Sequence, residues 1–158
     1  MTAGLLIFLA ASTNPPKLSL KPLTAISPCE VVTNLEVRQA FKHPFAKGTA
    51  DASSCEYSAL DQQVVAIKLH HSTHKIDVQA EMLTLRKAFP DARMRDATGF
   101  ANPAFFLDHP GIGTQLFVIR GEHDFLLVSV MGLGEAKRVA PGAKQIAKKA
   151  LERLPTLP

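Results

Sequence analysis

The side chains best suited to chemistry lie near the middle of the chain, where three histidines precede two carboxylates. They are His70, His71, His74, Asp77 and Glu81. Imidazole and carboxylate groups together are ligands that zinc and copper accept. If a helix begins near Thr73, then His74, Asp77 and Glu81 share one of its faces. The sequence therefore predicts a candidate metal site whose residues are His70, His71, His74 and Asp77.

The same residues also fit a polar turn between a strand and a helix. In that alternative, the acids complement the dipole at the start of the helix and hold no ion. The sequence has no recognised zinc spacing such as His-Glu-x-x-His. Both interpretations stay open at the level of the sequence.

Motifs for nucleophilic catalysis are missing from the sequence. It contains no Gly-x-Ser-x-Gly elbow, and its two cysteines are better explained by a bridge than by a reactive thiol. Any catalysis would have to come from residues that only the fold brings together. We therefore predict no catalytic residues and no cofactor, and keep an enzyme with a dispersed site as an alternative.

Basic residues concentrate on the last predicted helix, within a chain of formal net charge +4. An anionic lipid or polysaccharide suits such a face, whereas specific nucleic-acid binding is not expected because no aromatic side chain is interleaved. The alternative is a solvated helix face, since Glu152 follows Lys148 by one turn. The residues of the candidate anion-binding face are Lys137, Arg138, Lys144 and Lys148.

A short glycine-rich segment, Gly132-Leu133-Gly134, precedes that helix. Glycine-rich loops at helix starts can present backbone amides to a phosphate. This segment lacks the third glycine of the dinucleotide fingerprint and the Gly-Lys-Ser ending of a P-loop. A simple turn is the alternative interpretation.

The two cysteines, Cys29 and Cys55, are the only ones in the chain. An even pair suits an oxidising compartment, and we predict that they form a disulfide bond with each other. Two buried free thiols are the alternative.

The first residues predict export. Residues 4–11 form an apolar run that stops at Ser12, which is typical of the hydrophobic region of a signal peptide, although residues 1–3 carry no Lys or Arg. We predict a signal peptide at residues 1–12, a linker at 13–27 that contains Pro15, Pro16 and Pro22, and a single domain at 28–158. No apolar run is long enough to span a bilayer. The predicted location is secreted or periplasmic.

Helix and strand signals alternate through the predicted domain. Thr33 and Glu36 form a capping box at the start of a helix that ends before Pro44. Residues 55–59 and 64–70 predict a hairpin, with Val65, Ile67 and Leu69 on one face. Ser72 or Thr73 would cap a second helix with an apolar face at Ile76, Ala80 and Leu83.

Residues 93–99 predict a loop, and three strands follow at 104–108, 114–120 and 125–131. The final helix is amphipathic. Its apolar residues are Val139, Ala143, Ile146, Ala147, Ala150, Leu151 and Leu154. The order favours an α+β fold, with an antiparallel sheet of about five strands, two or three helices packed on it and one disulfide.

Residues around the two cysteines resemble a pattern of small secreted bacterial proteins and lipoproteins of unknown function. That pattern is Pro-Cys-x-Leu-Leu-Thr-x-x-Glu-Val followed by Cys-x-Tyr. The residues that carry the resemblance are Pro28, Cys29, Val31, Val32, Thr33, Glu36, Val37, Cys55 and Tyr57. The resemblance implies a Cys29–Cys55 bridge and a helix-on-sheet domain similar to the sandwich of the photosystem accessory protein family. It supplies no catalytic residues, and the lipid-anchor cysteine of many such proteins is missing here.

The leading hypothesis from the sequence is a non-enzymatic exported binding or accessory module. Its partner would be another protein, an envelope component or a small ligand. A zinc- or copper-binding protein that uses the His70, His71 and His74 turn is the first alternative. The enzyme with a dispersed site is the second.

Overall fold

Seven strands form one antiparallel sheet in the computed structural model, which describes residues 26–60 and 62–155. The strands are β1 (Thr49–Ala50), β2 (Ser54–Ser58), β3 (Val64–His71), β4 (Arg93–Asp96), β5 (Ala104–His109), β6 (Gly113–Arg120) and β7 (Asp124–Met131). Their order across the sheet is β1-β2-β3-β7-β6-β5-β4. The two halves of the chain therefore meet at the centre, where β3 pairs with β7.

Four helices accompany the sheet in this part of the chain. They are α1 (Pro28–Val31), α2 (Asn34–Phe41), α3 (Val78–Ala88) and α4 (Ala136–Arg153). The predicted α+β class and the antiparallel sheet are confirmed, but the described residues form seven strands instead of about five and four helices instead of two or three.

One face of the sheet is buried under α1, α2 and α4. Buried and half-buried residues alternate along β7 because successive strand residues point to opposite faces. The inward residues of the two central strands are Val65, Ile67, Leu69, Leu126, Val128 and Val130. α4 faces them with Ala143, Ile146, Ala147 and Ala150, all fully buried. The predicted apolar faces of β3 and α4 are confirmed.

The opposite face of the sheet is covered in part by α3. Val78, Met82 and Leu85 pack against a cluster of Phe105, Leu107 and Phe117. The prediction that Ile76, Ala80 and Leu83 form the apolar side of this helix is wrong, since Leu83 is 53% exposed. The helix begins later than predicted because the Asp77 carboxylate, and not Ser72 or Thr73, accepts the hydrogen bonds of its first free N–H groups.

The two outermost strands, β1 and β4, were not predicted. β4 lies within residues 93–99, which were expected to form a loop. Its sequence Arg-Met-Arg-Asp has no alternation of β-branched residues. It is a strand because it pairs with β5, where Arg95 lies 3.8 Å above the ring of Phe106 and donates to Asp108 at 2.6 Å.

Two tethers hold the N-terminal helices in place. The Cys29–Cys55 disulfide joins α1 to β2, which confirms the predicted bridge. At the far end of α4, Arg153 donates to both carboxylate oxygens of Glu36 at 2.6 and 2.8 Å and to the carbonyl of Val31 at 2.9 Å. The hydrogen bonds from Arg153 lower the pKa of Glu36 to about 2, against burial, and those from Thr33 add to the effect.

The predicted capping box is confirmed, since Thr33 and Glu36 bond each other's backbone N–H groups at the start of α2. Beneath it, the buried Tyr57 hydroxyl donates to the carbonyl of Val32. Burial raises the pKa of Tyr57 to about 12.

The predicted signal peptide at residues 1–12 lies outside the described residues, as does the linker up to residue 25. Ile26 packs on the main core, directly before α1. No helix in the described ranges is both long and apolar enough to cross a membrane.

Candidate functional site

The histidines of the predicted metal site point in different directions. His70 and His71 are neighbours on β3, so their side chains leave opposite faces of the sheet. The His70 ring lies 4.6 Å from the ring of Phe125. His71 Nδ1 lies 2.7 Å from the carboxylate of Asp124 on β7.

His74 and Asp77 have other partners as well. His74 is exposed, and its Nδ1 lies 3.0 Å from the hydroxyl of Thr73. Asp77 caps α3, which begins too late for His74, Asp77 and Glu81 to share a helical face. Within residues 26–60 and 62–155, no three His, Cys, Asp or Glu side chains gather in a way that could hold a metal ion. The structure does not assemble the predicted metal site.

The candidate anion-binding residues divide between two faces of α4. Lys137, Lys144 and Lys148 form one line, since spacings of seven and eleven residues are close to two and three turns. Along this lysine stripe, Lys144 Nζ lies 3.4 Å from the hydroxyl of Thr98. Arg138 leaves the helix in another direction, and its guanidinium nitrogen lies 3.5 Å from the carbonyl oxygen of Leu133 in the loop before α4.

Arg138 lies in a cleft of about 650 Å³ between the end of α2 and the loop that joins β7 to α4. We call it the α2–α4 cleft. It is lined by Ala40, Phe41, Lys42, His43, Gln63, Gly132, Leu133, Gly134, Arg138, Val139, Pro141 and Gly142. Its volume falls in the range of pockets that hold small organic ligands.

Two residues at the end of α2, Lys42 and His43, contribute side chains to the lining of the cleft. Lys42 has a left-handed backbone, with φ of 52°, and its N–H donates to the carbonyl of Arg38. This cap ends the helix at Phe41. The His43 ring then packs edge-on against the buried Phe45, with the ring centroids 5.3 Å apart.

The loop on the other side depends on Gly134, whose φ is +101°. A Cβ at this position would lie only 3.3 Å from a guanidinium nitrogen of Arg138. Glycine therefore permits both the backbone conformation and the close approach of the guanidinium group to the loop. The segment Gly132-Leu133-Gly134 and Arg138, both singled out in the sequence, meet here.

The walls of the cleft are packed tightly where α2 crosses α4. A Cβ at Gly142 would lie 2.6 Å from a ring carbon of Phe41 and 2.9 Å from the carbonyl oxygen of Ala40. The small residue lets the two helices approach closely. Phe41 in turn packs edge-on against Phe45 at 6.2 Å.

The charged side chains that line the α2–α4 cleft are Lys42, Arg138 and, when protonated, His43. None of the lining residues carries a carboxylate. Among the described residues, neither Lys42 nor Arg138 has an acidic side chain within ion-pair distance. The side chains that line the cleft therefore carry a net positive charge.

A second cleft of about 700 Å³ lies on the other side of the same loop. Its lining mixes Arg93, His109 and Lys137 with Asp108 and Glu135. The Asp108 carboxylate is already bonded by Arg95 and by the hydroxyl of Thr114. Because its charges are balanced and partly satisfied, this cleft is less suited to a charged ligand.

The sequence did not indicate Lys42 and His43 as site residues. They stand at a helix end, where a basic residue and an X-Pro step are ordinary stop signals. They lie about 95 positions before Arg138 in the chain. No short-range pattern could connect residues so far apart.

No protein-family model matches this sequence, and no curated protein or solved structure is significantly similar to it. The resemblance to small secreted bacterial proteins and lipoproteins stays a prediction.

Proposed function

We propose that this protein is an exported, non-enzymatic binding module that holds a small ligand in the α2–α4 cleft. The observation that carries the proposal is the cleft itself, a concave site of about 650 Å³ whose lining combines polar and apolar side chains. Phe41, Leu133 and Pro141 supply the apolar surface, and Lys42, Gln63 and Arg138 supply the polar groups.

The lining favours binding over catalysis. It contains no hydroxyl, thiol or carboxylate side chain that could serve as a nucleophile or a carboxylate base. Guanidinium, ammonium and amide groups hold and orient a ligand without transferring protons at neutral pH.

The frame around the cleft also supports a binding role. The ion pair between Glu36 and Arg153 and the close contact of Gly142 with Phe41 fix α2 against α4. A cleft that is already formed loses little conformational entropy when a ligand enters. Export is supported by the Cys29–Cys55 disulfide, which is typical of oxidising compartments.

The sequence left a partner protein, an envelope component or a small ligand open as the binding partner. A partner protein or an envelope component could also carry a small group that enters the cleft. The metal-binding alternative loses support because His70, His71, His74 and Asp77 do not converge. The enzyme alternative would need reactive groups outside the α2–α4 cleft.

The test is a thermal-shift screen of the full-length protein against a library of small metabolites. The Gln63→Trp variant would fill the cleft, and Gln79→Trp on the exposed side of α3 is the matched control. We expect at least one compound to raise the melting temperature of the wild type and of Gln79→Trp but not of Gln63→Trp. Recovery of that compound unchanged after long incubation is also expected.

Two results would count against the proposal. If compounds stabilised Gln63→Trp as strongly as the wild type, the binding site would lie elsewhere. If a bound compound were converted to a product, the protein would be an enzyme.

A further inference from the structure

We propose that the ligand of the α2–α4 cleft is a phosphate monoester, with its phosphoryl group held by Lys42, His43 and Arg138. This inference rests on the proposed function and names the chemical class that the cleft selects. The phosphoryl group would lie between the end of α2 and the β7–α4 loop. The organic part would lie on the apolar lining.

Charge decides between the acidic groups that a small ligand can carry. Lys42 and Arg138 bring two permanent positive charges to the cleft, and no lining carboxylate offsets them. A phosphate monoester carries a charge close to −2 at neutral pH because its second pKa is near 6. A carboxylate or a phosphate diester carries −1 and would leave one cation unpaired. Of these three groups, the monoester is the one whose charge matches the two side chains.

The donors also fit phosphoryl geometry. The guanidinium group of Arg138 is a planar fork that can bond two oxygens of one phosphoryl group, and the Lys42 ammonium can bond the third. The guanidinium donates to the carbonyl of Leu133 at 3.5 Å, which places this fork beside the loop.

The size of the cleft argues against bare inorganic phosphate as the intended ligand. A volume of about 650 Å³ is in the range of sites for organic molecules. Phe41, Leu133, Val139 and Pro141 line the part that the phosphoryl group would leave empty. An aromatic or aliphatic group could remove this surface from water.

The experiment is isothermal titration calorimetry on the full chain with phenyl phosphate, inorganic phosphate, benzoate and phenol. We expect phenyl phosphate to bind at least tenfold more tightly than the other three. Phosphatidylcholine vesicles with and without phosphatidic acid test whether the monoester comes from a lipid headgroup. Soluble and lipid monoesters share the chemistry, and competition by the vesicles would assign the ligand to a membrane source.

Single variants test the named residues. Lys42→Gln and Arg138→Gln should each weaken phenyl phosphate binding by about tenfold, because each removes a charged hydrogen bond. The matched controls are Lys144→Gln and Lys148→Gln, which remove the same charge from the lysine stripe and should leave the affinity unchanged.

A glycine pair separates loop geometry from general strain. Gly134→Ala should weaken binding because it displaces the Arg138 guanidinium. Gly111→Ala adds a side chain at a similar positive φ of 72° with no atom within 4 Å, so it should bind as the wild type does. Far-UV circular dichroism confirms that each variant is folded.

The outcomes separate this inference from the proposed function. If phenol or benzoate bound as tightly as phenyl phosphate and lost affinity in Gln63→Trp, the cleft would be a ligand site but not for monoesters. If phenyl phosphate binding were lost in Lys144→Gln and kept in Arg138→Gln, the inference would be overturned in favour of the lysine stripe. If none of the four compounds bound while the library screen found a compound whose effect is lost in Gln63→Trp, the monoester inference would fail and the proposed function would stand.

Discussion

Replacing Glu36 with glutamine should destabilise the protein at neutral pH and remove part of its sensitivity to acid. Glu36 accepts two charged hydrogen bonds from Arg153, which join the start of α2 to the end of α4. Glutamine is nearly isosteric and can still accept from the N–H of Thr33, since Gln also serves in capping boxes. The variant therefore removes the ion pair and keeps the helix cap.

The size of the effect follows from the pKa of Glu36, which hydrogen bonds from Arg153 and, to a smaller extent, from Thr33 lower from 4.5 to about 2. A shift of that size corresponds to an upper limit of about 3.4 kcal/mol at 1.36 kcal/mol per pKa unit. The Arg153 side chain is 40% exposed and that of Glu36 is 17% exposed. Because water screens such a pair, we expect a loss of about 1 to 2 kcal/mol in the free energy of unfolding.

The sign with pH follows from the lowered pKa. Glu36 contributes stability above pH 4.5, where its carboxylate is charged in both the folded and unfolded states, and loses that contribution as the pH falls toward 2. The free energies of wild type and Glu36→Gln should therefore differ at pH 7 and converge near pH 2.

Urea unfolding followed by circular dichroism at 222 nm measures both free energies, since the chain has no Trp and one Tyr. The matched control is Glu152→Gln, whose carboxylate makes an exposed pair with Lys149 at 3.5 Å and should change stability by less than about 0.5 kcal/mol. A Glu36→Gln variant as stable as the wild type at pH 7 would refute the reasoning. So would a difference that stays constant down to pH 2.

Three further predictions use the same unfolding assay. Replacing both Cys29 and Cys55 with alanine should cost about 3.5 kcal/mol, since the bridge closes a loop of about 27 residues in the unfolded chain; equal stability would show that the unfolded chain is constrained by other means. Tyr57→Phe should cost about 1 to 2 kcal/mol in the free energy of unfolding, because it leaves a buried carbonyl without its donor. The wild type should also lose stability from pH 10 to 12, because Tyr57 then ionises on unfolding. Gly142→Ala should cost about 1 kcal/mol, because overpacking against Phe41 exceeds the gain in helix propensity, and a more stable variant would show that the ring moves aside at no cost.

Local patterns predicted much of the fold correctly. The capping box of α2, the inward residues of β3 and the apolar stripe of α4 each depend on residues within one or two turns or on strict alternation. These local patterns predict the structure correctly because the residues that bury one apolar face, or that accept hydrogen bonds from a helix end, lie close together in the sequence. The start of α3 was misplaced because Ser72, Thr73 and Asp77 are all competent caps, and only the packing of Val78 and Met82 selects the last of them.

The edge strands show where local patterns fail. β4 has no apolar alternation of its own, and it is a strand because β5 offers backbone partners and Arg95 finds both a ring and a carboxylate. Its conformation is decided by neighbours about 13 residues further along the chain. The pairing of β4 with β5 therefore decides its conformation, although the strand propensity of its own residues is weak.

The sequence by itself determined the class of fold, the pairing of Cys29 with Cys55 and the presence of a basic final helix, because composition, cysteine number and helical period are properties of the chain. The tertiary structure alone decided which basic residues line the same cleft. It separated His70 from His71 across the sheet, and it brought Lys42 and His43 to Arg138 across the contact of α2 with α4. The physical reason is that the surfaces of a cleft come from residues that are distant in sequence. Their approach depends on how whole helices pack. Here α2 and α4 can approach closely because Gly142 has no side chain.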